Sequence, residues 1–217
     1  MRYELLRYNL RKVTKMQIKH HVTLINKGEF PKSEEFKSII NEINTSITKV
    51  VWPLNSDKFI IYPESGKKRG EGNGVKPIKN EFVKYLQNSG WELETKFNFA
   101  TVRGLGGIDA TRKVGSKHFA VEWETGNISS SHRALNKMAL GLLKEELVGG
   151  ILVVPTRDLY TYLTDRVGNF AELEPYFPLW KSINCVDGYL GVIAIEHDGV
   201  SKEVPKIPKG TDGRALN

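Results

Sequence analysis

Apolar residues recur at helical spacing in four parts of the chain. Residues 33–51 carry apolar side chains three or four positions apart, which predicts a helix that ends before a Trp-Pro pair. The same spacing predicts a second helix over residues 77–87 and a third, with a strong apolar stripe, over residues 131–147. A pair of glycines follows and is expected to stop the third helix, and a short helix is expected over residues 156–164.

Alternation of apolar and polar residues predicts strands between and after these helices. It is clearest over residues 117–124, where Phe, Val and Trp share one face and Ala and two Glu share the other. Looser alternation predicts strands over 91–102 and from Ile108 onward, and short apolar runs predict strands over 151–154 and 189–196. Strands that alternate with helices in this way indicate an α/β fold with a central mixed β-sheet.

Domain organisation follows from the same pattern. Residues 1–30 are basic and weakly patterned, and we interpret them as an N-terminal extension of unknown role that contains one strand or one helix. Residues 31–217 show no internal boundary and fit one domain. No apolar run is long enough to cross a bilayer, so no membrane association is expected and the predicted location is cytoplasmic.

Charge and cysteine content narrow the function only partly. The formal net charge of +7 fits a polyanionic partner such as nucleic acid, but it equally fits a basic surface that serves solubility alone. Cys185 is the single cysteine, which excludes an internal disulfide and a cysteine-cluster metal site.

Four carboxylates in the strand-rich centre are the candidate chemistry: Glu94, Asp109, Glu122 and Glu124. Strand periodicity places Glu122 and Glu124 on one face, and a hairpin connection brings Asp109 beside Glu122. Such oxygen ligands suit Mg²⁺, which in turn suits hydrolysis of a phosphodiester. Spacing alone leaves open the alternative that these glutamates simply mark the solvated face of a strand.

Longer motifs identify a resemblance. The segments that carry it are NGV at 73–75, PIK at 77–79, EWETGNISS at 122–130, YLTDRV at 162–167, ELEPYF at 172–177 and IPKGTDG at 207–213. Together, and in this order, they resemble the BamHI family of type II restriction endonucleases, within the PD-(D/E)xK nuclease superfamily. The resemblance runs from about Val51 to the end, and the first thirty residues have no counterpart in it.

The resemblance implies the restriction-endonuclease fold, with a central mixed sheet, helices on both faces and the active site at one edge. It implies that Asp109 and Glu122 bind Mg²⁺ together with the backbone carbonyl of Trp123. Glu94 is expected to complete the acidic cluster, although Glu92 is an alternative. Glu124 stands where most nucleases of this fold carry lysine, and the resemblance implies that it accepts a proton from water.

The resemblance also implies base readers. Asn127 and the Ser129 backbone correspond to readers of the inner A·T pair, and Arg133 to a reader of the middle G·C pair. Arg166 and Asp165 correspond to readers of the outer G·C pair, which agrees with the hydrogen-bonding groups of each base. Asp212 lies in a C-terminal arm, about residues 200–217, that is expected to contact DNA. The implied target is 5′-GGATCC-3′, cut after the first G to leave GATC overhangs.

A palindromic target implies a homodimer, because matched half-sites mirror the two-fold symmetry of the protein. The expected interface comprises the helix over 131–147 and the one near Thr156, and a cognate DNA methyltransferase is implied as a functional companion. Two other functions remain open: a sequence-specific DNA-binding protein without catalysis, and a metal-dependent hydrolase of small phosphate esters.

Overall fold

The computed structural model describes residues 16–68, 70–97, 107–164 and 167–209. The strands in these residues are Gln17–Lys27 (β1), Ile60–Ile61 (β2), Glu92–Thr95 (β3), Ile108–Val114 (β4), Lys117–Trp123 (β5), Leu147–Pro155 (β6), Gly188–Glu196 (β7) and Gly199–Val200 (β8). The α-helices are Glu34–Thr48 (α1), Lys76–Asn88 (α2), Ile128–Leu143 (α3), Arg157–Tyr160 (α4), Phe170–Leu173 (α5) and Phe177–Lys181 (α6). Short 3₁₀ turns occupy Phe30–Lys32 and Glu174–Tyr176.

Six strands form one mixed sheet in the order β1-β7-β6-β5-β4-β3. Its three middle neighbours, β5, β6 and β7, run parallel to one another, while β1, β4 and β3 pair antiparallel with their neighbours. Strands β6 and β7 are nearly continuous apolar runs, as expected for strands covered on both faces. The mixed central sheet expected from the sequence is therefore confirmed.

Strand β5 shows how the two faces are filled. Phe119 and Trp123 point to a core that contains Phe82 of α2, with the Trp123 and Phe82 ring centroids 4.7 Å apart. Ala120 points to the opposite core, which contains Leu135 and Met138 of α3. The alternation along β5 is therefore the one that the sequence predicts, and helices do cover both faces of the sheet.

The third helix differs in register from its prediction. It begins at Ile128, three residues earlier than predicted, and ends at Leu143, four residues earlier than predicted. The glycines expected to stop it, Gly149 and Gly150, lie inside β6. A Cβ at Gly149 would lie 2.3 Å from the Phe119 ring, and one at Gly150 would lie 2.6 Å from the Met138 sulfur. These glycines therefore allow close packing between layers, which sequence cannot distinguish from a helix stop.

Two other predictions change in extent. The helix expected over residues 156–164 is the single turn α4, because the chain leaves it at Thr161 to bond with the segment around Asn73. The strand expected over 91–102 is described only as Glu92–Thr95, since residues 98–106 lie outside the described part of the chain.

Part of the expected N-terminal extension belongs to the sheet. Residues 17–27 form edge strand β1, paired antiparallel with β7, and Leu24 and Ile25 are buried. The strand or helix expected within residues 1–30 is therefore the strand β1, which pairs within the central sheet. Most side chains of β1 remain partly or fully exposed, which is why its sequence lacks a clear apolar face. Residues 1–15 lie outside the described chain.

Parallel pairing brings the carboxyl ends of β5, β6 and β7 to the same edge of the sheet, where α/β proteins place their ligand sites. Among the described residues, no helix combines the length and the apolar character that crossing a membrane requires.

Gly149 offers a test of the interlayer packing. We expect Gly149→Ala to reduce the free energy of unfolding by about 1–3 kcal/mol, because the new methyl overlaps the fully buried Phe119 ring. Urea denaturation followed by circular dichroism measures this change. Gly199→Ala is the matched control, since its Cβ would meet Ile60 at an ordinary 3.5 Å. Equal stability of the two variants would contradict the packing described here.

Candidate active site

A cleft of about 350 Å³ opens at the carboxyl end of β5, between β4 and helix α3. Its lining includes all four carboxylates proposed from the sequence and Arg133, together with two lysines. The residues that line it are Lys79, Glu94, Gly107, Asp109, Glu122, Trp123, Glu124, Thr125, Gly126, Ser130, Arg133, Ala134, Lys137 and Leu152. The structure therefore brings the predicted acidic groups together in one concave surface.

Asp109 is fixed against the end of β5. Its Oδ2 accepts a hydrogen bond of 2.8 Å from the backbone N–H of Trp123, just beyond the last β4–β5 pair, Ala110 with Val121. The next N–H along the chain, that of Glu124, instead donates to Val153 of β6 at 2.9 Å. In an extended strand the N–H and C=O of one residue point to the same side. The Trp123 carbonyl therefore faces the Asp109 side, as its predicted role requires.

Two lysines neutralise the buried acids, and the sequence analysis assigned them no role. Lys79 of α2 contacts Asp109 and lies 3.9 Å from a Glu94 oxygen, while Lys137 of α3 contacts Glu122 and donates to the Gly107 carbonyl. These cations offset the cost of burying carboxylates, which is large for an unpaired charge. Lys79 falls within the quoted segment at 77–79, whereas Lys137 lies seven residues beyond the one that ends at 130.

Helical spacing contains the signal that would have located Lys137. Ser130, Arg133, Ala134 and Lys137 follow one another at intervals of three, one and three residues, so they share one face of α3. Because Arg133 was already a candidate, the same face pointed to Lys137. Lys79 carries no such signal, because its approach to Asp109 depends on how α2 packs against β4.

Glu124 lies 5% exposed at the turn between β5 and α3. Its Oε1 accepts a hydrogen bond of 2.5 Å from the Gly126 N–H, and its Oε2 accepts one from the hydroxyl of Ser131. Both oxygens of the carboxylate therefore have a donor. Nothing in the position of Ser131 along the sequence predicts this contact.

Burial changes the acidity of two of these groups. It raises the pKa of Glu124 to about 7, despite the opposing hydrogen bonds from Ser131 and Gly126. Burial, and then the negative charge of Asp109, raise the pKa of Glu122 to about 6, against the opposing effect of Lys137. Perturbed carboxyls that share a cleft are typical of active sites, and Glu124 can exchange a proton near neutral pH.

Glu94 is the glutamate of β3 that lines the cleft, and Glu92 does not line it. Glu94 has a left-handed backbone, with φ of 52°, and its side chain is 68% exposed. It contacts Lys79 rather than either buried acid. The structure therefore places Glu94 at the rim of the site.

The base readers expected at the start of α3 lie on the side of the molecule where the cleft opens. Asn127 is the N-cap of α3, and its Oδ1 accepts a hydrogen bond of 3.1 Å from the Ser129 N–H, the capping role that its residue type favours. Arg133 is exposed and donates to the Ser130 hydroxyl at 3.0 Å. Asp165, Arg166 and Asp212 lie outside the described residues.

The acids of the cleft are candidate ligands for a divalent cation. Within the described ranges, no group of three or more His, Cys, Asp or Glu side chains is arranged to hold a metal ion. Two buried carboxylates with a backbone carbonyl beside them are nonetheless a donor set of hard oxygens, of the kind that Mg²⁺ accepts while keeping several waters. Asp109, Glu122 and the Trp123 carbonyl are therefore a ligand set that fits such an ion.

Comparison with known proteins identifies the family. The model of the restriction endonuclease BamHI family matches residues 16–214. The type II restriction enzyme OkrAI of Oceanobacter kriegii is 50% identical over 201 residues, which cover 93% of this chain and all of OkrAI. The chain belongs to the BamHI family of restriction endonucleases. BamHI of Bacillus amyloliquefaciens itself is 35% identical over 202 residues, covering 90% of this chain and 91% of BamHI.

Among solved structures, the restriction endonuclease BglII in complex with a DNA 16-mer matches with a TM-score of 0.58, covering 84% of this chain and 79% of that one. Its sequence identity is 10%, so the match supports the fold alone. It confirms the restriction-endonuclease fold expected from the sequence. Membership of the BamHI family makes the chain a site-specific deoxyribonuclease.

The raised pKa values predict a pH-dependent stability. Glu122 and Glu124 hold protons more tightly in the folded chain, so they contribute stability at acidic pH that is lost as the pH rises through about 6 and about 7. In the presence of EDTA, we expect the unfolding free energy of the wild type, relative to Glu124→Gln, to fall by up to about 3 kcal/mol between about pH 5 and about pH 8.

Urea denaturation at a series of pH values measures this difference. Replacement of an exposed glutamate, Glu203→Gln, is the control and should leave the pH profile of the wild type unchanged. Parallel profiles for the wild type and Glu124→Gln would show that the pKa of Glu124 is the same in the folded and unfolded chains.

Proposed function

We propose that this chain is a Mg²⁺-dependent, homodimeric type II restriction endonuclease that cleaves double-stranded DNA at 5′-GGATCC-3′, after the first G of each strand. The observation that carries the proposal is that the acidic cleft and the proposed base readers lie directly beside each other. The cleft with Asp109, Glu122 and Glu124 lies at the end of β5, and helix α3, with the proposed readers Asn127 and Arg133, begins four residues after Glu124.

Asp109, Glu122 and the carbonyl of Trp123 would hold the metal ion. Mg²⁺ bound there would polarise the scissile phosphate and lower the pKa of a bound water. Lys79 and Lys137 balance the acid charges without the ion, and Lys79 also connects Asp109 to Glu94 at the rim. Their positive charge beside the cleft favours the approach of a DNA phosphate.

Glu124 is the proposed proton acceptor for the attacking water. Its pKa of about 7 allows it to be ionised and still bind a proton within the neutral range. The hydrogen bonds from Gly126 and Ser131 fix the plane of the carboxylate, so that it keeps one orientation relative to the cleft. These properties support Glu124 in the position that lysine occupies in most nucleases of this fold.

Base recognition is proposed for the tip of α3 and the segment at 165–166. An asparagine pairs with adenine through two hydrogen bonds, and an arginine pairs similarly with guanine in the major groove. Asn127 and Arg133 present these groups within the first two turns of α3. The N–H of Gly168 donates to the Gly126 carbonyl at 2.8 Å, which joins the chain that follows Asp165 and Arg166 to the same turn.

Because the sequence contains every proposed reader, we assign the GGATCC target that the resemblance to the BamHI family implies. Asp212 is assigned to a C-terminal arm that contacts DNA. Each correct bidentate pair contributes on the order of 1–3 kcal/mol of discrimination. A host that contains such an enzyme needs a DNA methyltransferase of matching specificity to protect its own sites.

The proposed dimer surface lies on α3 and on the segment beside it, 174–181. Trp180 donates to Asn136 at 2.9 Å, and the ring of Tyr176 packs 4.6 Å from that of His132, so the two segments lie side by side. Their exposed apolar residues are Leu140, Leu143, Tyr176 and Leu179, with 36–60% of each exposed. A second copy of the chain is the proposed occupant, because the two halves of a palindrome require two α3 tips.

The turn α4, near Thr156, is the other element expected in the interface. Its apolar residue Leu159 is fully buried in the core of the subunit. We therefore propose the segment 174–181, rather than α4, as the companion of α3 in the dimer.

The two other functions fit the cleft less well. A DNA-binding protein without catalysis would gain from losing negative charge near phosphates, yet three buried acids line the cleft. A hydrolase of small phosphate esters has no use for an adenine reader and a guanine reader beside its acids. Restriction-enzyme relatives over most of the chain also favour DNA cleavage.

Cleavage of plasmid DNA tests the function directly. With Mg²⁺, the wild type should cut a plasmid with one GGATCC site once, and sequencing of the ends should show GATC overhangs. Glu124→Ala should bind the same site but cleave at least about 100-fold more slowly, because a proton acceptor contributes about 10²–10⁴-fold.

A plasmid with the site changed to GGATAC is the control for specificity. Binding without cutting by the wild type would support the non-catalytic function, and no interaction with DNA would support the small-ester hydrolase. Normal cleavage by Glu124→Ala would remove Glu124 from the mechanism.

Leu143 tests the dimer. It is 52% exposed on α3, and we expect Leu143→Glu to sediment as a monomer at concentrations where the wild type is a dimer, since a charge there opposes burial. Analytical ultracentrifugation gives the mass. Leu54→Glu, at a similarly exposed leucine outside the proposed surface, should remain dimeric. An unchanged dimer in Leu143→Glu would place the interface elsewhere.

A further inference from the structure

Ser131 connects the proposed catalytic acid to helix α3. The residue lies in the first turn of α3 with no exposed surface, and its hydroxyl donates to Oε2 of Glu124. The other carboxylate oxygen is held by the Gly126 N–H at 2.5 Å. Asp109 and Glu122 contact lysine side chains, whereas the described contacts that orient Glu124 come from an O–H and an N–H.

The backbone at Gly168 packs against the same hydroxyl. A Cβ at Gly168 would lie 2.4 Å from the Ser131 Oγ and 3.0 Å from the Ile128 Cα, so the backbone at Gly168 passes directly over the first turn of α3. Gly168 also donates its N–H to the Gly126 carbonyl at 2.8 Å. Gly168 follows the proposed reader Arg166 by two residues, so this contact joins both reader segments to the turn that holds Glu124.

We propose that Ser131 is a positioning residue that orients the Glu124 carboxylate and couples it to the two segments that read the bases. The inference rests on the proposed function, because it takes Glu124 as the proton acceptor. In this arrangement, a shift of α3 or of the backbone at Gly168 on a wrong sequence displaces the hydroxyl and with it the carboxylate.

The physical reason is the sensitivity of proton transfer to geometry. A displacement of about 1 Å in a reacting group reduces a rate by about 10²-fold. Without the Ser131 hydroxyl, the Glu124 carboxylate loses its side-chain donor and is held only by backbone N–H groups of the adjoining turn, those of Gly126 and Thr125. The residue touches neither metal ligand nor DNA in this role, so its loss is expected to affect the cleavage step and not the affinity for DNA.

Single-turnover cleavage of a duplex oligonucleotide with one GGATCC site is the test. We expect Ser131→Ala to lower the single-turnover rate at saturating enzyme by about 10- to 100-fold. Its Kd for the same duplex, measured by fluorescence anisotropy in EDTA, should stay within about 2-fold of the wild-type value, as for a residue that acts on the chemical step alone.

The matched control is Ser46→Ala, a buried serine of α1. Both variants lose a buried hydroxyl, so similar losses of thermal stability are expected, but only Ser131→Ala should lose cleavage rate. A normal rate in Ser131→Ala, or a Kd weakened in proportion to the rate, overturns the inference while the proposed function stands. Absence of cleavage by the wild type overturns the proposed function itself.

Gly168→Ala supplies an independent variant in case Ser131→Ala does not fold. Its methyl group would overlap the Ser131 hydroxyl at 2.4 Å and press on the Ile128 Cα at 3.0 Å, so the variant should also cleave slowly at saturating enzyme. In the double variant, Ser131→Ala removes the nearest atom that the methyl meets, so the combined loss of rate should be smaller than the product of the two single losses. Independent, multiplying losses in the double variant would contradict the coupling.

Discussion

The burial of three carboxylates beside the carboxyl end of β5 is the constraint on which the rest of the structure depends. Asp109, Glu122 and Glu124 are each at most 9% exposed, and an unpaired charge in such a place is strongly destabilising. Lys79, Lys137 and a small set of N–H and O–H donors offset that cost. The arrangement leaves raised pKa values, a condition that a divalent cation between the acids would relieve.

The proposed catalytic acid and the proposed base readers share one short turn. Glu124 is the first residue after β5, and Asn127 caps the helix that carries Arg133. The turn is too short for the acid and the readers to move independently. Hydrogen bonds from Gly126, Ser131 and Gly168 cross it, so the position of α3 and the orientation of Glu124 are set together.

The comparison with BglII shows what the fold alone provides. A TM-score of 0.58 at 10% identity means that the sheet and its covering helices tolerate nearly complete replacement of sequence. The fold supplies an edge where the carboxyl ends of parallel strands meet, and function resides in the side chains placed there. In this chain those side chains are the acids of β4 and β5, the lysines of α2 and α3, and the polar tip of α3.

The sequence alone determined the α/β class and the faces of β5, because alternation and helical spacing are local properties of the chain. The four acids of the cleft were singled out with the help of the family resemblance. It failed where the outcome depended on distant segments. Gly149 and Gly150 appeared to end a helix but pack against Phe119 and Met138, and β1 became visible only through its pairing with β7. Lys79 and Ser131 reach the acids only through the packing of α2 and α3, and no local pattern encodes those contacts.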